Sequence, residues 1–210
     1  MKHKDVLHLA LTLLVVGIFW FVMFSPWTAP KIDFWIGITT AAAVVLMLTT
    51  LFFPEWRQHA RVSVVGTLCG VLLAAALWGV FWLGDKISAW LMPFTAAQVD
   101  HIYTLKDDCN FWLVGLALLL IVGPAEEIFW RGTLQRKTSE WWGRHIGFLV
   151  MLCFYTVIHV WSFNFMLIAA AAVAGGFQGL VYWQFGPRSL WPLIVSHALW
   201  DVAVFLVFPI

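Results

Sequence analysis

Ionisable and histidine side chains interrupt three apolar stretches in the C-terminal half of this sequence. The three clusters are Glu126, Glu127 and Arg131; His159; and His197 with Asp201. Placing an ionisable group at the centre of an apolar helix costs about 2.5–3.5 kcal/mol or more, so each cluster calls for a reason. Carboxylates and imidazoles accept and donate protons in many enzymes. The residue types therefore indicate acid–base chemistry.

The first cluster separates its two carboxylates. Glu127 and Arg131 are four residues apart with the acid first, an order that favours an ion pair on one helix face. Glu126 points about 100° away from Glu127, because a helix has 3.6 residues per turn. Pro124 lacks a backbone N–H and is expected to disturb the helix just before the acids. One carboxylate is thus neutralised and the other is free for general acid–base work; a helix-end ion pair with a spare surface Glu is the alternative.

The other two clusters supply imidazoles. His197 and Asp201 are four residues apart and share a helix face, which suggests a carboxylate that orients an imidazole. A lone His159 in an apolar run is more often a satisfied core residue, and the pair on the last helix could simply fix helix register. A helical hairpin with its tip near residues 142–143 would bring Glu126 and His159 to similar depth. We therefore predict that Glu126, His159 and His197 converge in one cavity that opens to the cytoplasm.

The elements that must position these residues are membrane-spanning helices. Of the 210 residues, 62% are hydrophobic and 11% are charged, against about 45–50% and about 25% in soluble domains. This excludes a globular soluble enzyme, a disordered chain and a disulfide scaffold. A net charge of +1 without a basic block argues against a nucleic-acid partner. Runs of roughly 20 apolar residues predict an all-α, polytopic transmembrane helix bundle of about seven spans: 6–24, 34–53, 62–84, 111–131, 146–163, 165–185 and 190–208.

The Lys and Arg residues predict the orientation of this bundle. With a cytoplasmic N-terminus, nine of the 12 fall in or next to cytoplasmic segments and three fall outside, as the positive-inside rule requires. Residues 1–110 are expected to form N-terminal transmembrane helices with an interfacial connector, and residues 111–210 a second helix bundle with the candidate site. The connector, residues 85–110, is either an interfacial helix or an ordered loop. The small side chains of residues 169–179 predict a close helix-packing surface.

Three short motifs on separate helices resemble the signature of the CPBP family, the CAAX-protease and bacteriocin-processing (Abi) membrane proteins. That signature reads EExxxR, then FxxxH, then HxxxN or HxxxD. Here the motifs run from Glu126 to Arg131, from Tyr155 to His159 and from His197 to Asp201. The resemblance covers roughly residues 111–205 and implies that residues 111–210 are a CPBP-like catalytic helix bundle. Tyr155 departs from the Phe of the family and adds a hydroxyl near the site.

In the family these positions belong to an intramembrane endopeptidase, and the resemblance implies a role for each. Glu126 would be the general base acting on a water, and His159 would help to hold and activate that water. His197 would help to stabilise the oxyanion of the tetrahedral intermediate. Glu127 and Arg131 would brace the site.

The third motif bears on the substrate class, and the candidate residues also raise the question of a metal ion. Asp201 stands where the prenyl-protein proteases carry Asn. Because an ionised Asp cannot donate a hydrogen bond to an oxyanion, we assign Asp201 to orienting His197. This disfavours a prenylated CAAX peptide and makes the bacterial-type branches the closer comparison. Zn²⁺ held by Glu126, His159 and His197 is the alternative to a metal-free mechanism; without an H-E-x-x-H helix, we expect no obligatory metal.

The sequence therefore predicts a hydrolase, an intramembrane endopeptidase that cleaves a membrane-associated peptide or protein tail. Its partners would be that tethered substrate, such as a C-terminal sorting tail or a leader peptide, and the lipid bilayer. The absence of a signal or transit peptide favours a multi-pass protein of a bacterial inner membrane. One alternative is a non-enzymatic bacteriocin-immunity or scaffold protein that keeps the site as a relic. Another is an ion-coupled transporter with a Glu–His relay, although the sequence shows no inverted repeat.

Overall fold

The computed structural model describes residues 3–106 and 109–210, and within them the chain is helical without a β-strand. Lys2, which contributes to the predicted orientation, lies outside these residues. Six helices of the described part are long and apolar enough to cross a membrane. The expectation of an all-α, polytopic helix bundle is confirmed, and the N-terminus on the cytoplasmic side stays a prediction.

Nine α-helices, labelled here in chain order, make up the described residues. They are α1 (His3–Phe24), α2 (Phe34–Phe52), α3 (Trp56–His59), α4 (Val64–Leu91), α5 (Thr95–Tyr103), α6 (Phe111–Trp142), α7 (Arg144–Val157), α8 (Phe165–Phe185) and α9 (Leu190–Val202). Short 3-10 turns occupy Ala29–Lys31, Thr104–Lys106, Val160–Ser162 and Gly186–Ser189, and a π-helical turn, Ala203–Val207, extends α9. Helix α5 lies in the connector between α4 and α6, where the sequence allowed a helix or a loop.

The structure has six candidate membrane-spanning stretches in its described residues, whereas the sequence predicts seven spans; helices α8 and α9 account for this difference. They count as one stretch, Phe165–Val207, but the chain turns back at Gly186, whose φ of +66° suits glycine because it lacks a Cβ. Across this turn, Gln178 Nε2 donates to Ser196 Oγ at 3.3 Å, and Ala174 packs with Trp200. The two helices are therefore antiparallel neighbours, and each predicted span corresponds to one helix.

Side-chain caps begin four of the long helices. Asp33 accepts a hydrogen bond from Ile36 N, and Ser63 accepts one from Gly66 N. Asn110 and Asn164 cap α6 and α8 in the same way. Each cap satisfies a backbone N–H that has no partner inside the helix, so the short polar residues between apolar runs fix where the helices start.

Helix α6, which carries the first motif, is irregular on both sides of it. The α-helical segment Gly123–Phe129 lies between π-helical segments Leu118–Val122 and Trp130–Gln135. Pro124 cannot donate a backbone hydrogen bond, and the wider turn that precedes it is the disturbance expected from the sequence. Helix α6 runs well past the predicted end at residue 131 and stops at Gly143, whose φ is +86°. The predicted hairpin tip lies at this position.

Small residues let the helices of the C-terminal half approach closely. A Cβ at Gly123 would lie 2.7 Å from Ala198 Cα on α9, and one at Gly175 would lie 2.7 Å from Tyr155 Cδ1 on α7. Side chains at these positions would push the helices apart, because contacts this short are strongly repulsive. The packing surface predicted for residues 169–179 is thereby confirmed, and α6, α7, α8 and α9 form one tightly packed group.

An ion-pair network closes one end of the bundle. We call this the basic end; it comprises residues 3–8, 52–64, 136–146 and 186–191. Glu55 Oε1 lies 3.1 Å from Arg136 Nη2 and 2.9 Å from Lys137 Nζ, and Lys137 Nζ lies 3.4 Å from Asp5 Oδ2. Burial acts to raise the pKa of Glu55, but hydrogen bonds from Lys137, its own backbone and Arg136 outweigh it and lower this pKa from 4.5 to about 2.

The substitution Glu55→Gln should destabilise the protein at neutral pH. It leaves the nearly buried Arg136 and Lys137 without their shared carboxylate, which we expect to cost about 1–3 kcal/mol. Because the pKa of Glu55 is lower in the folded state than the ordinary 4.5, its contribution is complete above pH 4.5 and is lost as the pH falls toward 2. Thermal unfolding of both proteins in detergent at several pH values should show the difference shrinking with acidification.

Glu140→Gln is the matched control. Glu140 also pairs with Arg136, at 2.8 Å, but its side chain is 48% exposed. Exposed pairs contribute about 0–1 kcal/mol, so this variant should unfold close to the wild type. An equal loss for the two variants, or a Glu55→Gln effect that does not shrink between pH 5 and pH 2, would contradict the assignment.

Candidate active site

The three polar clusters meet at one cavity of about 130 Å³ inside the bundle. Its polar lining residues are Glu126, Tyr155, His159, His197 and Asp201. Apolar side chains from α1, α2, the connector, α6, α8, α9 and the turn after α9 form the rest of the wall. The predicted convergence of Glu126, His159 and His197 on a single cavity is therefore what the structure shows.

A fully buried charge cluster lies behind the cavity. Arg131 Nη1 donates to Glu127 Oε1 at 2.7 Å, and neither side chain is exposed. Arg131 Nη2 also donates to the backbone oxygen of Gly175 on α8 at 3.1 Å. His197 Nδ1 lies 2.6 Å from the same Glu127 Oε1. The i, i+4 pair read from the sequence is present, and it also joins α6 to α8 and α9.

Glu126 faces the cavity, as the 3.6-residue helical period requires for the neighbour of Glu127. Its Oε2 accepts a hydrogen bond of 2.8 Å from the Tyr155 hydroxyl and lies 3.9 Å from His197 Nε2. Its side chain is 12% exposed, whereas that of Glu127 is fully buried. The hydroxyl that distinguishes Tyr155 from phenylalanine therefore donates to Glu126, the carboxylate of the first motif that does not pair with Arg131.

The imidazole of His197 is oriented by Glu127 and not by Asp201. An Nδ1–H donated to Glu127 leaves Nε2 directed toward Glu126 and Asp201. Asp201 Oδ1 lies 3.7 Å from Nε2, which is longer than a hydrogen bond. The orienting hydrogen bond expected from Asp201 thus comes from the second carboxylate of the first motif. Sequence spacing could not show this, because Glu127 and His197 are 70 residues apart.

His159 is held on both ring nitrogens. Its Nδ1 lies 2.7 Å from the Tyr155 backbone oxygen, and its Nε2 accepts a hydrogen bond of 3.2 Å from Trp20 Nε1 on α1. These partners define a neutral ring with the proton on Nδ1. Trp20 is a site residue that the sequence reasoning missed, since one of 15 Trp residues in an apolar helix gives no local signal.

The cavity lies toward the end of the bundle opposite the basic end. We call this the connector end; its described residues are 24–34, 92–106, 109–111, 158–165 and 203–210. Phe24, Trp35 and Leu105 of this end or beside it line the cavity. The prediction that the cavity opens to the cytoplasm conflicts with the predicted orientation, which places this end outside. His159 follows the end of α7 and belongs to the connector end. The site therefore lies far from the turns of the basic end.

The side chains around the cavity do not form a metal site. Within residues 3–106 and 109–210, no three His, Cys, Asp or Glu side chains are arranged to hold a metal ion. Of the proposed ligands, His159 has both ring nitrogens engaged by Tyr155 and Trp20. In this arrangement the lone pair of His159 Nε2 is directed at Trp20 and not at Glu126 or His197, and the expectation of no obligatory metal stays a prediction.

Comparison with known proteins supports the resemblance seen in the motifs. Residues 108–203 match the model of a family described as Rce1-like, type II CAAX prenyl endopeptidase. The resemblance to the CPBP family is confirmed over this range, which contains all three motifs. The description is that of an endopeptidase, in agreement with the function expected from the sequence. No curated protein and no solved structure matches the chain.

The two adjacent glutamates should respond differently to the same change. Glu127→Gln leaves the unexposed Arg131 without a countercharge, and breaking a buried pair in this way costs about 3–5 kcal/mol. Glu126→Gln keeps an oxygen that can accept from Tyr155 and should change stability by less than about 1 kcal/mol. Thermal unfolding of the two purified variants in detergent gives the comparison. Similar losses of stability would refute the division into one structural and one free carboxylate.

Proposed function

We propose that this protein is an intramembrane endopeptidase in which Glu126 activates a water molecule. The observation that carries the proposal is the position of Glu126. It is a carboxylate that faces the cavity, bonded to the Tyr155 hydroxyl, next to a buried Glu127–Arg131–His197 cluster. The family matched by residues 108–203 supports the reaction class. General acid–base work needs a free carboxylate of this kind.

The chemical step follows from the two groups at the bottom of the cavity. Glu126 accepts a proton from a water while the water oxygen attacks the scissile carbonyl carbon. The carbonyl oxygen becomes an oxyanion, which accepts a hydrogen bond from Nε2–H of protonated His197. Glu126 then passes its proton to the amide nitrogen as the C–N bond breaks. Collapse of the intermediate gives a carboxylic acid and an amine, and the acid proton then passes to the amine to give a carboxylate and an ammonium group, so atoms and charges balance.

The surrounding residues hold these two groups in place. Glu127 fixes the His197 ring through Nδ1, and Arg131 neutralises Glu127 so that the carboxylate stays in position. Asp201, 3.7 Å from His197 Nε2, lies next to the proposed oxyanion position. Preorganised groups of this kind avoid reorganisation during the reaction.

His159 holds the attacking water once its bond to Trp20 opens. In the structure Trp20 Nε1 donates a hydrogen bond to His159 Nε2. While Nδ1 donates to the Tyr155 backbone, Nε2 is the one ring nitrogen of His159 that can accept a hydrogen bond from water. A hydrogen bond of this type contributes about 0.5–1.5 kcal/mol, so opening is accessible at ordinary temperature. The resting structure is thus one step short of the reactive arrangement.

Comparing membrane proteomes of cells that express matched variants tests the proposal. Wild type, Glu126→Gln and the control Glu140→Gln are expressed at equal levels, and new protein termini are mapped near membrane anchors. Termini should appear with the wild type and with Glu140→Gln, and should be absent with Glu126→Gln. The same termini in all three strains, with all three proteins folded and abundant, would rule out Glu126 catalysis and favour the immunity or scaffold alternative.

Trp20→Phe should raise the cleavage rate, because it removes the donor that competes with water for His159 Nε2. We expect an increase of about 2- to 10-fold, which corresponds to the free-energy contribution of one hydrogen bond. The readout is the rate at which a substrate identified from the mapped termini is cleaved by purified protein. Trp78→Phe is the control, since Trp78 donates to Phe208 O away from the cavity. A loss of activity for Trp20→Phe would mean that Trp20 positions His159 instead of withholding it.

A further inference from the structure

The two ends of the bundle carry different charge. Exposed cations at the basic end are Lys4, Arg57, Arg61, Arg144 and Arg188. The described connector end and the adjoining end of α4 carry both signs: Lys31, Lys86 and Lys106 against Asp33, Asp85 and Asp100. Cytoplasmic loops of membrane proteins are enriched in Lys and Arg. Even with its acids Asp5, Glu55 and Glu140 counted, the basic end carries a net positive charge, whereas the charges of the described connector end cancel. The positive-inside rule therefore predicts that the basic end is cytoplasmic.

Buried side chains separate the candidate site from the basic end. Leu134, Gln135 and Arg136 follow the first motif on α6 and are 1%, 0% and 6% exposed. Gln135 Nε2 donates to Gly179 O on α8 at 2.9 Å, which ties this layer to the neighbouring helix. Glu126 lies ten residues before Arg136, roughly 15 Å along the helix axis at 1.5 Å per residue. A peptide from the cytoplasm would have to displace this layer and the ion pairs of Glu55.

The connector forms the opposite wall of the cavity. Ile102 and Leu105 line the cavity from α5 and the turn after it. Trp35 Nε1 donates to Leu105 O at 2.7 Å, and Lys106 Nζ donates to Phe205 O at 3.0 Å. Gln98 accepts hydrogen bonds from Asn164 and Met166 at the start of α8, and the Tyr103 hydroxyl accepts one from Ile210 N. A volume of about 130 Å³ is below the roughly 300–1,000 Å³ of pockets that enclose drug-sized ligands. A peptide therefore enters when a wall moves. Among the described residues this wall is held by hydrogen bonds and ring contacts, whereas the ion pairs of Glu55 close the basic end.

We propose that the active site takes its substrate from the non-cytoplasmic side of the membrane. The scissile bond would lie in the outer half of a transmembrane segment, or in a membrane-tethered tail on that side. The lining contains no Lys or Arg among the described residues, so the site suits an internal apolar segment and not a free C-terminal carboxylate. Ala170, Ala171 and Ala174 leave room for the substrate along α8. This inference rests on the proposed protease function for its substrate, but its topology can be tested separately.

Cysteine labelling in spheroplasts tests the side of the membrane. Native Cys69, Cys109 and Cys153 are replaced by Ser, and single cysteines are placed by Asp100→Cys at the connector end and Gln58→Cys at the basic end. Both positions are exposed. A membrane-impermeant maleimide should label Asp100→Cys in intact spheroplasts and Gln58→Cys after lysis. The reverse pattern would overturn the proposal.

The mapped termini provide the second arm. Termini that depend on Glu126 should lie in the outer halves of predicted spans or in tails outside the cytoplasm. Glu126-dependent termini confined to cytoplasmic tails would refute the sidedness and leave the protease proposal standing. If no termini depend on Glu126, the proposed function fails, and the labelling pattern still decides which side the cavity faces.

Discussion

The buried ion pair between Glu127 and Arg131 is the interaction on which the candidate site depends. Two charges removed from solvent are stable only when each has close partners. Arg131 therefore also binds the backbone of α8 at Gly175, and Glu127 binds His197 on α9. These contacts fix the rotation of three helices about their axes. The positions of Glu126, His197 and Asp201 at the cavity follow from that rotation.

The helix that carries both glutamates is irregular on either side of them. π-helical segments are frequent at functional sites, and here Leu118–Val122 and Trp130–Gln135 flank the Glu126–Glu127 pair. Pro124 cannot complete a regular ladder, and Gly123 lets α9 approach to the point where a Cβ would not fit. The irregular helix thus allows one carboxylate to be buried against three helices while its neighbour faces a cavity.

The two ends of the bundle differ in how they are closed. At the basic end, Arg136 and Lys137 share the carboxylate of Glu55, and the side chains between them and the site are packed without exposure. At the connector end, a short helix and a turn are attached by scattered hydrogen bonds to α2, α8 and α9. Local opening is expected where few buried contacts hold a segment. The end with the net positive charge is thus the end closed by ion pairs, and the cavity lies toward the opposite end, where we propose that the substrate enters.

The sequence by itself determined the helices, the i, i+4 pair of Glu127 and Arg131, and the identity of the polar residues that meet at the cavity. These features depend on spacing along one helix or on apolar length, and both can be read locally. Tertiary structure alone decided three features: that Glu127 orients His197, that the Trp20 indole donates a hydrogen bond to His159 Nε2, and that the cavity lies toward the connector end. Each depends on the depth and rotation of helices distant in sequence, up to 139 residues apart for Trp20 and His159. Helical periodicity specifies which residues share a face; packing between helices decides what that face meets.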